Sequence, residues 1–467
     1  MTMAADAQRQ FEAASPLFRL THKIDELRAR EFNRLDSGGN VYLDYTGGAL
    51  YAESQVKRHA DLLQHHVLGN PHSKSPASEC ATALVEETRR RVLTFFNACP
   101  DEYQVIFTAN ATHALKLVGE SYPFGPGGTF LLTFDNHNSV NGIREYARTH
   151  GAGIMYVPVI PPEMRSTDAA IARALVEHAG SDGGHLFAYP AQSNFSGVQH
   201  PLEWIEAAHD RGWDVLVDAA AFAPTNLLDL ARWRPDFVAL SFYKMFGYPT
   251  GVGALIARMD ALRKLHRPWF AGGTITVASV SADRHVLAPG AAAFEDGTVD
   301  YANIPAVQVG LDLIEQIGLD VIHDRVMCLT SWLLERLTAL RHTNGQPLLT
   351  LYGPRTTRRR GGTIAMNFHD RGGLVIDHAA IEARAGEHGI SLRTGCFCNP
   401  GAGELALGLS SDELRPCFGQ PDHPMTYEGF RHCVAPKSSG AVRISLGLVS
   451  NFADAHAFVR FASEFQE

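Results

Sequence analysis

Seven short apolar runs recur through the middle of the chain: YQVIF (103–107), TFLLTF (129–134), GIMYVPV (153–159), HLFAYP (185–190), WDVLVD (213–218), DFVALS (236–241) and GALIA (253–257). Most are bounded by turn residues, and several are separated by stretches of helical periodicity. Strands this short and this uniformly apolar are buried on both faces, and strands joined by helices pair in parallel. A largely parallel α/β sheet covered by helices is therefore expected. With 467 residues, 45% of them apolar and 19% charged, the chain has ample material for a large core and for more than one domain.

Outside these runs the texture differs. Residues 1–40 are polar and helix-prone and form an arm before the main fold. VYLDY (41–45) reads as a short strand, 51–68 and 76–97 as helices, and HALKLVGESY (113–122) as a helix after the loop TANAT. Beyond about 300 come a long helical region at 304–341, the strand candidates LLTLY, GTIAMNF and AVRISLG, a helix near 377–388 and a final helix, ADAHAFVRFASEF. The expected division is a large α/β domain over 41–300 and a smaller α+β domain over 301–467, the arm packing on the latter. Residues 405–440, rich in Gly, Pro, Ser and His, read as loop.

Charge and cysteine content narrow the setting. A net charge of −9, with no basic cluster counted against it, disfavours a nucleic-acid partner. Seven cysteines, an odd number in a large chain, argue against a disulfide framework and for a reducing compartment. The opening MTMAADAQRQFEAAS lacks the basic-then-apolar pattern of a secretory signal, and no apolar run reaches the ~18 residues of a membrane span. A cytoplasmic protein without membrane contact is expected.

Three segments carry chemistry. Lys244 follows the apolar run DFVALS and precedes a glycine-rich turn, where burial penalises its charge. It is either a lysine snorkelling from a strand end or an amine held near neutrality so that it can condense with a carbonyl cofactor. Asp218 ends the preceding run, so in a parallel sheet both residues emerge at the carboxyl edge, where such folds bind ligands. Alone it could cap a helix. With Lys244 it matches the needs of pyridoxal 5'-phosphate, an amine at one end of the ring and an acid at the pyridine nitrogen. In TANATHALKL (108–117), Ala109, Ala111 and Thr112 lie between strand and helix, where backbone N–H groups and a hydroxyl suit a phosphate.

These residues lie within longer motifs: YLDYTGGALY, GNPHSKSPAS, DNHNSVNGIREYA, QSNFSGVQHPL, ALSFYKMFGYPTGVGAL, FEDGT and RTGCFCNPGAGE. From about 40 to 450 the chain resembles the N-terminal aminotransferase-like domain of molybdenum-cofactor sulfurases. That family is grouped with the cysteine desulfurases in the class V branch of fold-type I pyridoxal-phosphate enzymes. The resemblance implies a mostly parallel seven-stranded sheet between helices, a bound pyridoxal phosphate and a homodimer. It also implies roles: His137 stacked on the pyridine ring, Asn194 on the phenolic oxygen, Ser241 on the phosphate, and Thr298 reaching the phosphate of the neighbouring subunit. Arg443 would clamp the substrate carboxylate with its planar fork, and Arg393 would orient the cysteine loop or form a surface ion pair. Tyr243 stands where commoner desulfurases carry histidine.

Cys396 and Cys398 separate sulfur chemistry from transamination. The family pattern makes Cys398 the nucleophile that takes sulfur from L-cysteine as a persulfide, releasing alanine, with Cys396 as its neighbour or resolving thiol. The alternatives are inert loop thiols and a four-thiolate metal site with Cys417 and Cys433, whose spacing fits no common zinc pattern, so no metal is expected. Only twenty residues follow AVRISLG, which leaves no room for the C-terminal domain that binds the molybdenum cofactor in that family, so the final acceptor, a protein or a small molecule, stays open. The competing functions are a C–S β-lyase, aminotransferase or epimerase on another amino acid, and a non-catalytic sulfur-transfer scaffold.

Overall fold

A computed structural model describes residues 3–177, 183–418, 425–435 and 437–466. All seven apolar runs become strands of one sheet: β1 (Tyr103–Thr108), β2 (Thr129–Thr133), β3 (Gly153–Val157), β4 (His185–Pro190), β5 (Asp214–Asp218), β6 (Phe237–Ser241) and β7 (Gly253–Arg258). The spatial order is β1-β7-β6-β5-β4-β2-β3. Only β7 runs against its neighbours, pairing antiparallel with β1 and β6, while the remaining pairs are parallel. Every residue of β2, β4, β5 and β6 is buried, as expected of strands covered by helices on both faces.

A second sheet has four antiparallel strands, β8 (Leu349–Tyr352), β9 (Thr363–Phe368), β10 (Arg393–Gly395) and β11 (Ala441–Ser445), in the order β8-β9-β11-β10. The helix Leu319–Ala339 packs on this sheet and against the last helix, Phe452–Ser463. The N-terminal helices join that layer: Phe11 stacks on Phe452 at 4.9 Å and meets Trp332 edge-on at 6.2 Å. Buried Arg28 donates to the carbonyl of Val449 and pairs with Asp454.

Several elements depart from expectation. The helix expected over 304–341 is two, Ala306–Ile317 and Leu319–Ala339, broken at Gly318. Of VYLDY only Val41–Tyr42 forms a strand, and it pairs in parallel with Ile390–Ser391, far beyond residue 300. The hairpin Ile275–Ser279/Arg284–Leu287 stands apart from both sheets. The segment expected as loop at 405–440 contains the short helices Ser411–Leu414 and Tyr427–Val434, and Cys417 is joined to Cys433 in a disulfide. That bond corrects the expectation that the cysteines stay unpaired, and it removes both from any four-thiolate site. Helicity survives there because the disulfide and a small apolar cluster of Leu414, Val434, Leu409 and Phe430 replace a larger core.

Candidate active site

The parallel strands deliver their side chains to one edge. Asp218 ends β5 and Ser241 ends β6, and Lys244 follows in the turn of helix Phe242–Phe246. His137 lies beyond β2, Gln192 and Asn194 beyond β4, and Ala111 and Thr112 beyond β1, at the start of helix Ala111–Ser121. β7 returns to this edge at Gly253. A methyl group there would meet the Asn110 backbone and the Leu240 carbonyl at 2.6 Å, so the strand and the helix start approach this closely only with glycine.

Together these residues enclose a cavity of about 230 Å³ walled by Ala111, Thr112, His137, Asn194, Asp218, Ser241 and Lys244. Thus seven of the expected site residues converge. Burial lowers the Lys244 amine below its ordinary value, opposed by Asp218 and reinforced by Arg443. His137 is likewise lowered, chiefly by burial, with Asp218 opposing. Its Nδ1 accepts from the Ser139 amide at 3.1 Å, which leaves the proton of the neutral ring on Nε2.

Asp218 accepts the Ala220 N–H on one carboxylate oxygen, and no hydrogen bond to the other oxygen is formed by a described residue. At the opposite end, the Ser241 hydroxyl accepts the Ala111 N–H at 2.9 Å, and Thr112 pairs with Ser139 at 2.8 Å. The Ala111 amide, expected to face a phosphate, is therefore engaged by Ser241, and the two hydroxyls stand beside the helix N-terminus. An acid with a free oxygen, a neutral-leaning amine and a hydroxyl-lined helix start fit the pyridine nitrogen, carbonyl and phosphate of pyridoxal phosphate.

The cysteine loop lies over this cavity. The Phe397 and Cys398 backbones are both left-handed, with φ of 56° and 55°, which turns the chain sharply. Phe397 is buried against Phe195, with ring centroids 5.3 Å apart, and leaves Cys396 and Cys398 exposed on either side. The Cys398 carbonyl accepts the Asn138 N–H at 2.7 Å, tying the loop to the residue after His137. Cys398 lies close enough to Lys244 and Arg443 for a thiolate there to favour the charged form of both. Asn194 departs from expectation in part. Its Nδ2 donates to the Phe397 carbonyl at 2.7 Å and its Oδ1 accepts from Asn399, so its amide anchors the loop, with one N–H left over.

Arg443 and Arg393 are opposed in register on β11 and β10. Like charges so placed repel, and Asp44 resolves this: it takes Arg443 on one oxygen at 2.9 Å and Arg393 on the other at 2.6 Å. Arg443 is buried under the Phe397 ring, 4.7 Å from its centroid, with its Nε unpartnered. Sequence reasoning missed Asp44, although an acid directly after the apolar VYL was the signal for a buried ion pair. It also missed Asn399, whose side chain bonds Asp135 O and Asn194. Thr298 does not join the cavity. It lines a separate pocket with Glu295, Asp296 and Asp300 and accepts from Asn70 at 3.2 Å.

Residues 41–458 match the family model described as Aminotransferase class-V. The chain is 38% identical to a molybdenum cofactor sulfurase of Solanum lycopersicum over 94% of its own length and 56% of the relative's. It is also 38% identical to that of Bos taurus, over 94% and 51%. It thus spans about half the length of these curated relatives. Among solved structures, the apo cysteine desulfurase of Thermococcus onnurineus NA1 superposes with a TM-score of 0.76 at 23% identity, covering 94% of this chain and 97% of that one. A cystine C–S lyase in complex with its product cysteine persulfide superposes at 0.68 with 20% identity, covering 92% and 98%. On a match that runs through both sheets and every residue of the cavity, the chain belongs to the class-V aminotransferase family.

Proposed function

We propose that this protein is a pyridoxal-phosphate enzyme that takes sulfur from L-cysteine onto Cys398 and releases alanine. The observation that carries this reading is the loop turn that holds an exposed Cys398 against the His137 segment, within charge range of Lys244 and Arg443. The solved structures share the fold, and the curated relatives are molybdenum cofactor sulfurases; both support the reading.

When bound, the cofactor supplies an electron sink at the substrate α-carbon. Lys244, lowered by burial, would attach it and move the α-proton, because lowering the amine eases loss of its proton and so its use as a base. Asp218 keeps the ring nitrogen protonated, and Ser241, Thr112 and the helix start hold the phosphate. His137, with its proton on Nε2, would pack on the ring, and the spare N–H of Asn194 would serve the phenolic oxygen. Arg443 offers its free Nε to the substrate carboxylate, while Asp44 and Arg393 hold the guanidinium in place. The Cys398 thiolate then attacks the substrate sulfur: an S–S bond forms, the C–S bond breaks, and its electrons remain on carbon until a proton gives alanine. Cys396 assists or resolves.

The assembly is proposed as a cytoplasmic homodimer, with residues 41–300 forming the cofactor domain, 301–467 the small domain, and Thr298 serving the partner's phosphate. The exposed Trp269, Phe270, Val277, Val280 and Val286, on and around the separate hairpin, support a covered face near Thr298. Among the described residues no helix is long and apolar enough to cross a membrane.

Incubation with L-cysteine, reading sulfide and the three-carbon product together, tests the function. Alanine is expected from the wild type, little from Cys398→Ala, and an intermediate yield from Cys396→Ala. Pyruvate and sulfide persisting in Cys398→Ala would establish a β-lyase, which expels a thiolate without any protein nucleophile.

A further inference from the structure

The run RTTRRR at 355–360 is a local exception to the net charge of −9, and the fold enlarges it. It follows β8 and leads into β9. Arg165, from a distant segment, donates to the carbonyls of Arg358 at 2.5 Å and Arg359 at 2.9 Å. Arg360 is buried and donates only to backbone carbonyls, those of Pro354, Ser196, Gly361 and Thr363. Two guanidinium groups are thus engaged in fixing the shape of the loop itself. The side chains of Arg355, Arg358 and Arg359 are exposed, and none of the three guanidinium groups forms an ion pair or hydrogen bond with a described residue.

The concentration of positive charge is physically evident. Burial and the neighbouring Arg165 bring Arg360 down to about 9, and burial with Arg359 and Arg358 lowers Arg165. Glu163 is the carboxylate that opposes both. In a chain of net charge −9, a preorganised group of unpaired arginines repels itself unless an anionic surface covers it.

Its position ties it to the cysteine loop. Phe195 packs on Phe397 at 5.3 Å and on Tyr352 of β8 at 6.1 Å. Met164, next to Arg165, and Val198, which bridges Arg360, belong to the same apolar cluster as Phe397. Cys398 directly follows Phe397 of this cluster, and the arginine loop joins the same cluster through Met164 and Val198.

We propose that Arg355, Arg358 and Arg359 form the docking surface for an acidic protein that accepts sulfur from Cys398. This rests on the desulfurase reading above. In the transfer, an acceptor thiolate attacks the outer sulfur of the Cys398 persulfide, a new S–S bond forms on the acceptor, and Cys398 leaves as thiolate, with no net oxidation. The arginines bring the thiol to the loop and take no part in bond making; complementary charge of this kind acts mainly on encounter and orientation.

The test uses a fluorescent glutamate-rich peptide with one cysteine, its glutamine-rich counterpart, and a thiol-bearing oligonucleotide of equal charge to the first. Anisotropy with the full chain reads binding without turnover. The glutamate peptide is expected to bind about tenfold more tightly than the glutamine peptide at low salt, with the difference fading above physiological ionic strength. The Arg355→Ala/Arg358→Ala/Arg359→Ala variant should lose this preference and keep its sulfide release from L-cysteine with dithiothreitol. Mass spectrometry of the peptide should show the persulfide arriving faster in wild type than in the variant. Equal binding of the two peptides, tighter binding of the oligonucleotide, or a preference unchanged in the variant would each overturn the assignment. Failure of the desulfurase reading is seen separately, as absence of a persulfide on Cys398 before any peptide is added, and leaves the binding comparison intact.

Discussion

At the scale of single residues, the site works by what burial does to charge. Lys244 combines a lowered amine with a place in the cavity wall, and no other lysine lines that cavity. Lys244→Ala should therefore abolish both turnover and the borohydride-reducible link to the cofactor; a mutant that still carries the link after reduction contradicts the assignment. His137 gives a pH signature in the cofactor-free protein. Its folded value lies below the ordinary ~6.5, so between the two values the unfolded chain binds more protons than the folded one. Stability then rises with pH through that window and is lost on acidification below ~6.5. The melting temperature of wild type relative to His137→Gln should fall as the pH drops below ~6.5, and a constant difference across that range would refute the linkage. Lys244 was legible from its place directly after an apolar run, whereas His137 was named only through the family resemblance; both line the cavity. Asp44 was not, since its meaning depends on two arginines some 350 and 400 residues away that only the sheet register brings together.

At the scale of elements, the strands were read almost to the residue, because burial on both faces writes an uninterrupted apolar run into each. The elements that escaped carry weaker local signals. Val41–Tyr42 and Ile390–Ser391 are two residues each, too short for periodicity to register, and the 411–434 helices rely on a disulfide between residues sixteen apart. The helix that carries Lys244 depends on such an unheralded contact. Gly310, in helix Ala306–Ile317, faces Phe246 so closely that a Cβ would stand 2.1 Å from its ring. Gly310→Ala should force Phe246 aside and cost about 1–3 kcal/mol. Because Phe246 ends the five-residue helix of Lys244, cofactor affinity should fall as well. Calorimetry with a cofactor titration checks both, and an unchanged melting temperature would show that the helix pair has slack.

For the whole molecule, the dimer prediction rests on Thr298 and the apolar hairpin lying away from the cavity of their own chain. Trp269→Asp with Val280→Asp should shift sedimentation from dimer to monomer and cost most of the activity; a fully active monomer on dilution would exclude a shared site. The clamp of Asp44 between Arg393 and Arg443 has a consequence for how the protein comes into being. The seven strands that wall the cofactor site lie within residues 103–258, whereas the clamp joins the first tenth of the chain to its last fifth. Closing so long a loop costs more entropy than pairing neighbouring strands, and a chain emerging from the ribosome delivers both arginines well after those strands. The nascent protein therefore shapes the strand-edge cavity that fits the cofactor before the clamp can close.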